Sequence, residues 1–427
     1  MSISSSLYIG TSAITAHGEA ISIVGDNIAN TSTIGFKRQR AAFADVLGGN
    51  LGTQRLGGGV RLGSAQTMYD QGALLQTGND LDLGIRGNGF FAVRGQYDGV
   101  DGQFYTRDGR FTMDVDGNVV DLRGLRLQGY LIDGAGVQAT TLSDLPLGAR
   151  QSAPVPTAQA GLVLNFDATA VPPAAFDPAD PVATSNYATS MTVYDSLGTA
   201  HQVQLYARAQ GGGAWEWHAM VDGGELTGGT AGTLTEIGAG TLSFTTAGAL
   251  DVETPGAFSA DFLGATPGQA IAVDFGDAIT TDGGTGLAGS TQFSAASTVN
   301  ALAIDGRSSG NLSKITVASD GTIEGIFDNG DARALARVAL AEFNSEDGLV
   351  RAGSTLLAAT TRSGQALMDA AGTGGRGAIS SGALEGSNVD LGTELVTLIA
   401  YQRAFQANSK IVSTADEMLA EVANLKR

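Results

Sequence analysis

Three short stretches carry residue types at spacings that chemistry uses. "GRSSG" (306–310) has the G-x-S-x-G form of a nucleophile elbow, which would set Ser308 on a sharp turn between a strand and a helix. The triad then needs a His later in the chain, and the last His is His218, so the stretch reads as a Gly/Ser turn. "GTGGRG" (372–377) matches the dinucleotide loop, which must leave a strand and open a helix. Its neighbours, "SGQALMDAA" and "AISSGALEGS", fit neither role, and a loop is expected. "DVDGN" (114–118) resembles part of a calcium loop but lacks the flanking helices and closing Glu, which leaves a hairpin turn. His17, His201 and His218 lie far apart and share no metal-ligand spacing. His17 is expected on the exposed or subunit-facing side of its helix. Trp215 and Trp217, two apart, share one face of a strand and suit core or interface burial. The carboxylates are too scattered to nominate a pair. No catalytic residue, cofactor-binding residue or metal ligand is expected, and the chain reads as no enzyme.

Composition narrows the class further. The 427 residues carry 43 acids against 24 bases, a net charge of −19, which argues against a nucleic-acid partner. Five bases (Lys37, Arg38, Arg40, Arg55, Arg61) face three acids in residues 1–65, so the negative charge lies in the body of the chain. With no cysteine, disulfides and thiolate sites are excluded. No apolar run approaches the ~18 residues of a membrane span, and no cationic n-region precedes the first apolar positions. Gly makes up 62 of 427 residues, roughly twice ordinary usage, in D-G, N-G and G-G pairs between short apolar stretches. That pattern predicts many tight turns joining short strands.

The elements follow. Leu7, Ile14, Ile21 and Ile28 fall seven apart and predict a helix from about Ser4 to Asn30. Gly10, Gly18 and Gly25 weaken it, so it needs a partner. At the other end Leu391, Leu398, Phe405, Val412 and Leu419 again fall seven apart, with Tyr401, Ala415 and Val422 three residues behind them. Two such stripes predict terminal helices that pair with each other. Ile23, Ile411, Met418 and Leu425 lie off the row and leave a further apolar face, the mark of an assembly element. Between the helices, residues 81–130 and 311–343 read as strands joined at Asp108-Gly109, Asp116-Gly117, Asp320-Gly321 and Asn329-Gly330. Three further strands are expected over 191–224. Prolines cluster over 146–183, a domain crossing, and 344–386 shows no period. The expected fold is α+β and multidomain, with paired coiled-coil-like terminal helices and two mainly-β domains nested in the chain.

"DNIANTSTIGFKRQRAAFADVL" (26–47) and "EGSNVDLGTELVTLIAYQRAFQANSKIVSTADEML" (385–419) resemble the terminal signatures of the bacterial flagellar rod and hook axial proteins. "TLSDLPLG", "VYDSLGTAHQVQLY", "GTIEGIFDNG" and "VALAEFNSEDGLVRAGS" are similar to the hook members of that family. A distal rod subunit of the basal body is the alternative within the family, but it is shorter and lacks the inserted β domain. A β-rich surface adhesin or enzyme is the reading from another class, and it predicts a lone monomer with a polar pocket.

The resemblance implies a self-assembling helical homopolymer, a curved tube acting as a universal joint between rod and filament. It places the chain outside the cell in the hook, exported through the flagellar type III apparatus without a cleaved signal. The implied partners are further copies, the distal rod protein, the hook cap and the hook–filament junction proteins. The implied layout has four parts: paired helices at 1–33 and 388–427 forming the inner tube; an extended linker domain at 34–75 and 363–387; an inner β domain at 76–147 and 296–362; and an inserted outer β domain at 148–295. The nine heptad residues named above are the candidates for pairing and assembly. At the junction after the first helix, Asn30 and Gly35 break direction and Phe36 fills an apolar gap. Lys37, Arg38 and Arg40 meet acids of a neighbouring copy or of the C-terminal segment, or remain solvated.

Overall fold

Helix α1 (Ile3–Ala29) carries three glycines, and its buried face is built from small residues. Ala13, Ala16, Ala20, Val24 and Asn27 are buried, whereas Leu7, Ile14, Ile21 and Ile28 lie beside them, half-buried. The computed structural model describes residues 3–51, 54–148, 151–254 and 256–424, so Leu425 lies outside the described residues. The described residues are mostly β, with two long helices among them, and the chain divides into two units.

Unit one comprises Met1–Ala149, Ser313–Ile326 and Ala332–Arg427. After α1 comes a long antiparallel hairpin, β1 (Gln39–Leu51) and β2 (Gln54–Thr67), in the segment expected to be extended. It forms a two-stranded sheet of its own and lies along α1, where Val60 N–H donates to Ser12 Oγ at 3.3 Å. Short strands follow: β3 (Leu74–Gln76), β4 (Leu83–Arg86), β5 (Phe90–Tyr97), β6 (Val100–Thr106), β7 (Phe111–Met113), β8 (Val119–Asp121) and β9 (Arg126–Leu131). The turns at Asp108-Gly109 and Gly87–Gly89 do not join hairpin partners. β7 pairs with β8, and β4 pairs with Ala378–Ser381. The strand Ala332–Glu342 is the spine of the sheet, pairing with Thr322–Phe327, β9, β5 and Leu367–Ala370. Its core holds Phe90, Tyr105 and Phe343, with Tyr105 and Phe343 edge to face at 4.8 Å.

The segment 344–386, aperiodic in sequence, contributes several strands of three or four residues. Val350–Gly353 and Leu356–Ala358 form a local hairpin, and Leu356–Ala358, Leu367–Ala370, Ala378–Ser381 and Ala383–Glu385 each pair with a strand far away in sequence or on the sheet spine. Helix α2 (Ile279–Asp282) is a single turn, and α3 (Leu391–Asn424) is the long C-terminal helix. Asp390 caps α3, its Oδ1 accepting the Thr393 N–H at 2.7 Å, and this holds its carboxyl below the usual range.

Unit two, Arg150–Leu312 with Phe327–Asp331, is a sandwich of two five-stranded sheets. One is antiparallel and contains the three strands expected over 191–224, observed at Tyr187–Tyr194, Ala200–Gly211 and Ala214–Asp222. Trp215 and Trp217 both face its core, Trp215 against Phe166 at 4.7 Å and Trp217 against Phe275 at 5.7 Å. His201 is buried there between Asp195 and Glu225, its ring stacked on Phe262 at 3.9 Å.

Candidate functional site at the helix–sheet junction

The residues that follow α1 build a buried, charged network in unit one. The helix ends by tightening: Asn30 N–H bonds both Asp26 O (3.1 Å) and Asn27 O (3.2 Å). The Asn30 side chain folds back on Asp26, and its Oδ1 accepts from Thr33 Oγ1 at 3.0 Å. Gly35 then turns the chain at φ +70°, where a Cβ would stand 2.6 Å from the Asp108 nitrogen. Phe36 is buried, with the Arg351 guanidinium 4.7 Å above its ring. Arg351 also reaches Asp26 at 3.4 Å.

Lys37 is 6% exposed, and its Nζ donates to Glu385 Oε1 at 2.7 Å and to the Asp70 carbonyl at 2.8 Å. Burial holds the lysine below its usual pKa, and the Glu385 charge opposes that shift. The other Glu385 oxygen takes Arg107 Nη1 at 2.9 Å, and Oε1 also accepts the Gly72 N–H at 2.8 Å. One wholly buried carboxylate therefore joins the post-helix turn, the exit of the hairpin, the sheet and the return toward α3. Arg38 lies 3.9 Å from Glu394 on α3. Arg40 is exposed and donates to Gln66 Oε1 at 2.9 Å, and among the described residues it pairs with no acid. Beside the network lies a cavity of about 290 Å³ lined by Asp26, Asn30, Phe36, Lys37, Arg107 and Arg351.

The two terminal helices run antiparallel and touch along much of their length. Near one end, a methyl added at Gly10 would meet Val412 Cγ2 at 2.7 Å. Midway, His17 is half-buried rather than outward-facing, because its ring packs against Phe43 of β1 (5.2 Å) and Tyr401 of α3 (6.0 Å). At the other end, Asn27 Nδ2 donates to Glu394 Oε2 at 3.2 Å. Leu398 and Val412 of the predicted row are half-buried, whereas Leu391, Phe405 and Leu419 are exposed. Glu385, Arg107, Asn27 and Asn388 escaped the spacing arguments. Glu385 stands 348 residues from Lys37 and 278 from Arg107 in sequence, too far for any local pattern to link them. Their one signal is that three of the four fall inside the two terminal signatures.

Among the described residues no cluster of His, Cys, Asp or Glu is arranged to hold a metal ion, and no helix is long and apolar enough to cross a membrane.

Four family models match the chain in succession. The Flagella basal body rod protein model matches residues 7–37 and the Flagellar hook protein FlgE/F/G D1 domain matches 84–165. The Flagellar basal body protein FlaE D2 domain matches 165–307 and the Flagellar basal body rod FlgEFG protein C-terminal model matches 380–425. The flagellar hook protein FlgE of Borreliella burgdorferi is 32% identical, the match covering 99% of each chain. That of Escherichia coli is 30% identical, covering 97% of this chain and 98% of the other. The crystal structure of Helicobacter pylori flagellar hook protein FlgE2 aligns with a TM-score of 0.48 at 13% identity, covering 73% of this chain and 100% of that one. With a relative 32% identical along essentially its whole length, the chain belongs to the flagellar hook protein family, whose members are structural proteins and not enzymes.

Proposed function

We propose that this chain is the repeating subunit of the flagellar hook, an extracellular curved tube that passes torque from rod to filament as a universal joint. In this reading α1 and α3 pair as a coiled-coil-like unit and form the inner tube. The hairpin segment 34–75 reaches a neighbouring copy. The β domains at 76–147 with 296–362 and at 148–295 form the outer layers, and the distal rod, cap and junction proteins meet the ends of the polymer. Export runs through the flagellar type III apparatus.

One observation carries the reading. α3 leaves Leu391, Leu395, Val396, Ile399, Ile411 and Met418 in water, Val396 at 69% exposure. Large apolar side chains exposed along a helix already packed along one side call for further helices. Identical copies joined by a contact that does not close on itself build an open helix, and so a tube. Separate β units linked by Gly/Pro-containing crossings can shift without straining either core, which bending requires.

Deleting 1–30 or 388–427 tests the assignment of cohesion to the helices. Electron microscopy of concentrated protein should show tubes for the full chain and dispersed particles for either truncation. Tubes from a truncated chain would overturn it.

A further inference from the structure

Two-stranded ribbons are marginal by themselves, yet the base of the β1/β2 hairpin is fastened at both legs by side-chain amides. Asn27, in the last turn of α1, is wholly buried. Its Oδ1 accepts the Gln39 N–H at 2.8 Å while its Nδ2 donates to the Gln39 carbonyl at 2.7 Å. This is the two-bond exchange that a residue on a neighbouring strand would make. The same Nδ2 reaches Glu394 of α3. Asn388, two residues ahead of the Asp390 cap, fastens both legs at once. Its Oδ1 accepts the Arg38 N–H at 2.7 Å, and its Nδ2 donates to the carbonyls of Met68 (2.8 Å) and Asp70 (3.0 Å). An amide offers donor and acceptor in one plane, which neither a carboxylate nor a hydroxyl can reproduce here.

We infer that Asn27 and Asn388 are positioning residues that set the direction in which the hairpin leaves the helix ends, so that α1, α3 and the hairpin move as one body. The consequence for assembly rests on the hook reading above. A hairpin of fixed direction presents the same contact in every copy, as a regular helical array demands.

The two clips report on separate backbone amides, so hydrogen exchange on the full chain reads each alone. In Asn27→Ala the Gln39 amide should exchange about 10- to 100-fold faster, the scale of losing a buried hydrogen-bond partner. Asn388→Ala should do the same at Arg38. Asn388→Asp keeps the acceptor for Arg38 and loses both donors, so Arg38 should stay protected while the Met68–Asp70 leg loosens. Fluorescence of Trp215 and Trp217, both in unit two, should not change in any variant. Tubes of the alanine variants should lose the single helical repeat of the parent. Protected amides in both alanine variants would overturn the inference, and so would an Arg38 as fast in Asn388→Asp as in Asn388→Ala. The exchange result does not depend on polymerisation. A parent chain that never forms tubes would sink the hook reading and leave the clips standing.

Discussion

Glu385→Gln keeps the side-chain shape and removes one charge from a point of unit one that water does not reach. Lys37 and Arg107, 6% and 3% exposed, share this carboxylate at 2.7 and 2.9 Å. Deleting one partner of a buried ion pair costs about 3–5 kcal/mol. Here one deletion strands two buried cations, so a loss near the upper end, about 5 kcal/mol, is expected. Lys37→Met is the informative contrast. It leaves Glu385 paired with Arg107 and should cost only about 1–3 kcal/mol.

Exchange at two amides reads the junction directly, because the Gly35 N–H bonds the Glu385 carbonyl (2.7 Å) and the Gly72 N–H bonds Oε1 (2.8 Å). The two tryptophans of the sequence, both in unit two, serve as the internal control. The Gln variant also carries a pH signature. Burial already sets Lys37 below its usual 10.5, and losing Glu385 takes it lower. The unfolded chain then binds the lysine proton more tightly than the folded one, so stability rises with pH between the two values. The deficit of Glu385→Gln should therefore shrink as pH climbs toward 10.5. A Lys37→Met cost equal to that of Glu385→Gln, or a deficit that ignores pH, would show that Glu385 is not the shared counter-charge of the two cations.

Two further pH dependences follow from burial. Desolvation holds His17 below its usual 6.5, and Phe43 and Tyr401 face its ring. The folded chain binds that proton more weakly, so this contribution is complete above pH 6.5 and is lost as pH falls through the folded value. Acid titration of α1 amide protection should show the loss, and His17→Phe should flatten it. In unit two, burial pushes Glu253 from 4.5 up to about 7, against the Phe275 N–H that bonds it at 3.0 Å. Here the folded state holds the proton more tightly, so stability declines as pH rises from 4.5 to about 7. Urea midpoints read by tryptophan fluorescence should fall over that interval in the parent and hold level in Glu253→Gln. A rise in the parent would contradict the assignment.

Local signals were legible wherever the chain makes its own contacts. The heptad rows predict α1 and α3 nearly to their ends, and Asn329-Gly330 marks the tight turn between Thr322–Phe327 and Ala332–Glu342. Elements held by distant partners were not. "QRAAFADVLGG" and "QRLGGGVRLGS" lack the alternation of a strand, because the hairpin is held by its packing along α1 and by two amides at its base. The three- and four-residue strands of 344–386 are too short to show a period, and most are held by a pairing far away in sequence, such as Ala383–Glu385 with β3. Composition also misdirects at α1. The large residues define the row a reader sees, but close approach of the hairpin and α3 puts the small ones at the centre of the contact.

Apolar cohesion and charged registration do different work in this molecule, and neither could replace the other. Hydrophobic burial is nearly non-directional, so the exposed apolar side chains of α3 would accept another helix in several registers at similar free energy. A polymer built on that face alone would have no single repeat. Buried ion pairs and paired amides have the opposite character. They add little net stability but penalise a displacement of one ångström heavily, since each buried group then loses its partner. Unit one concentrates such groups at the one place where the turn after α1, the hairpin, the sheet and the lead into α3 converge on Glu385, Asn27 and Asn388. Under the proposed hook reading, the apolar helix surface holds copies together while the junction dictates a single angle between helices and hairpin. On this view the junction, and not the helix face proposed to form the tube, is where a conservative substitution should change the shape of the polymer without abolishing it.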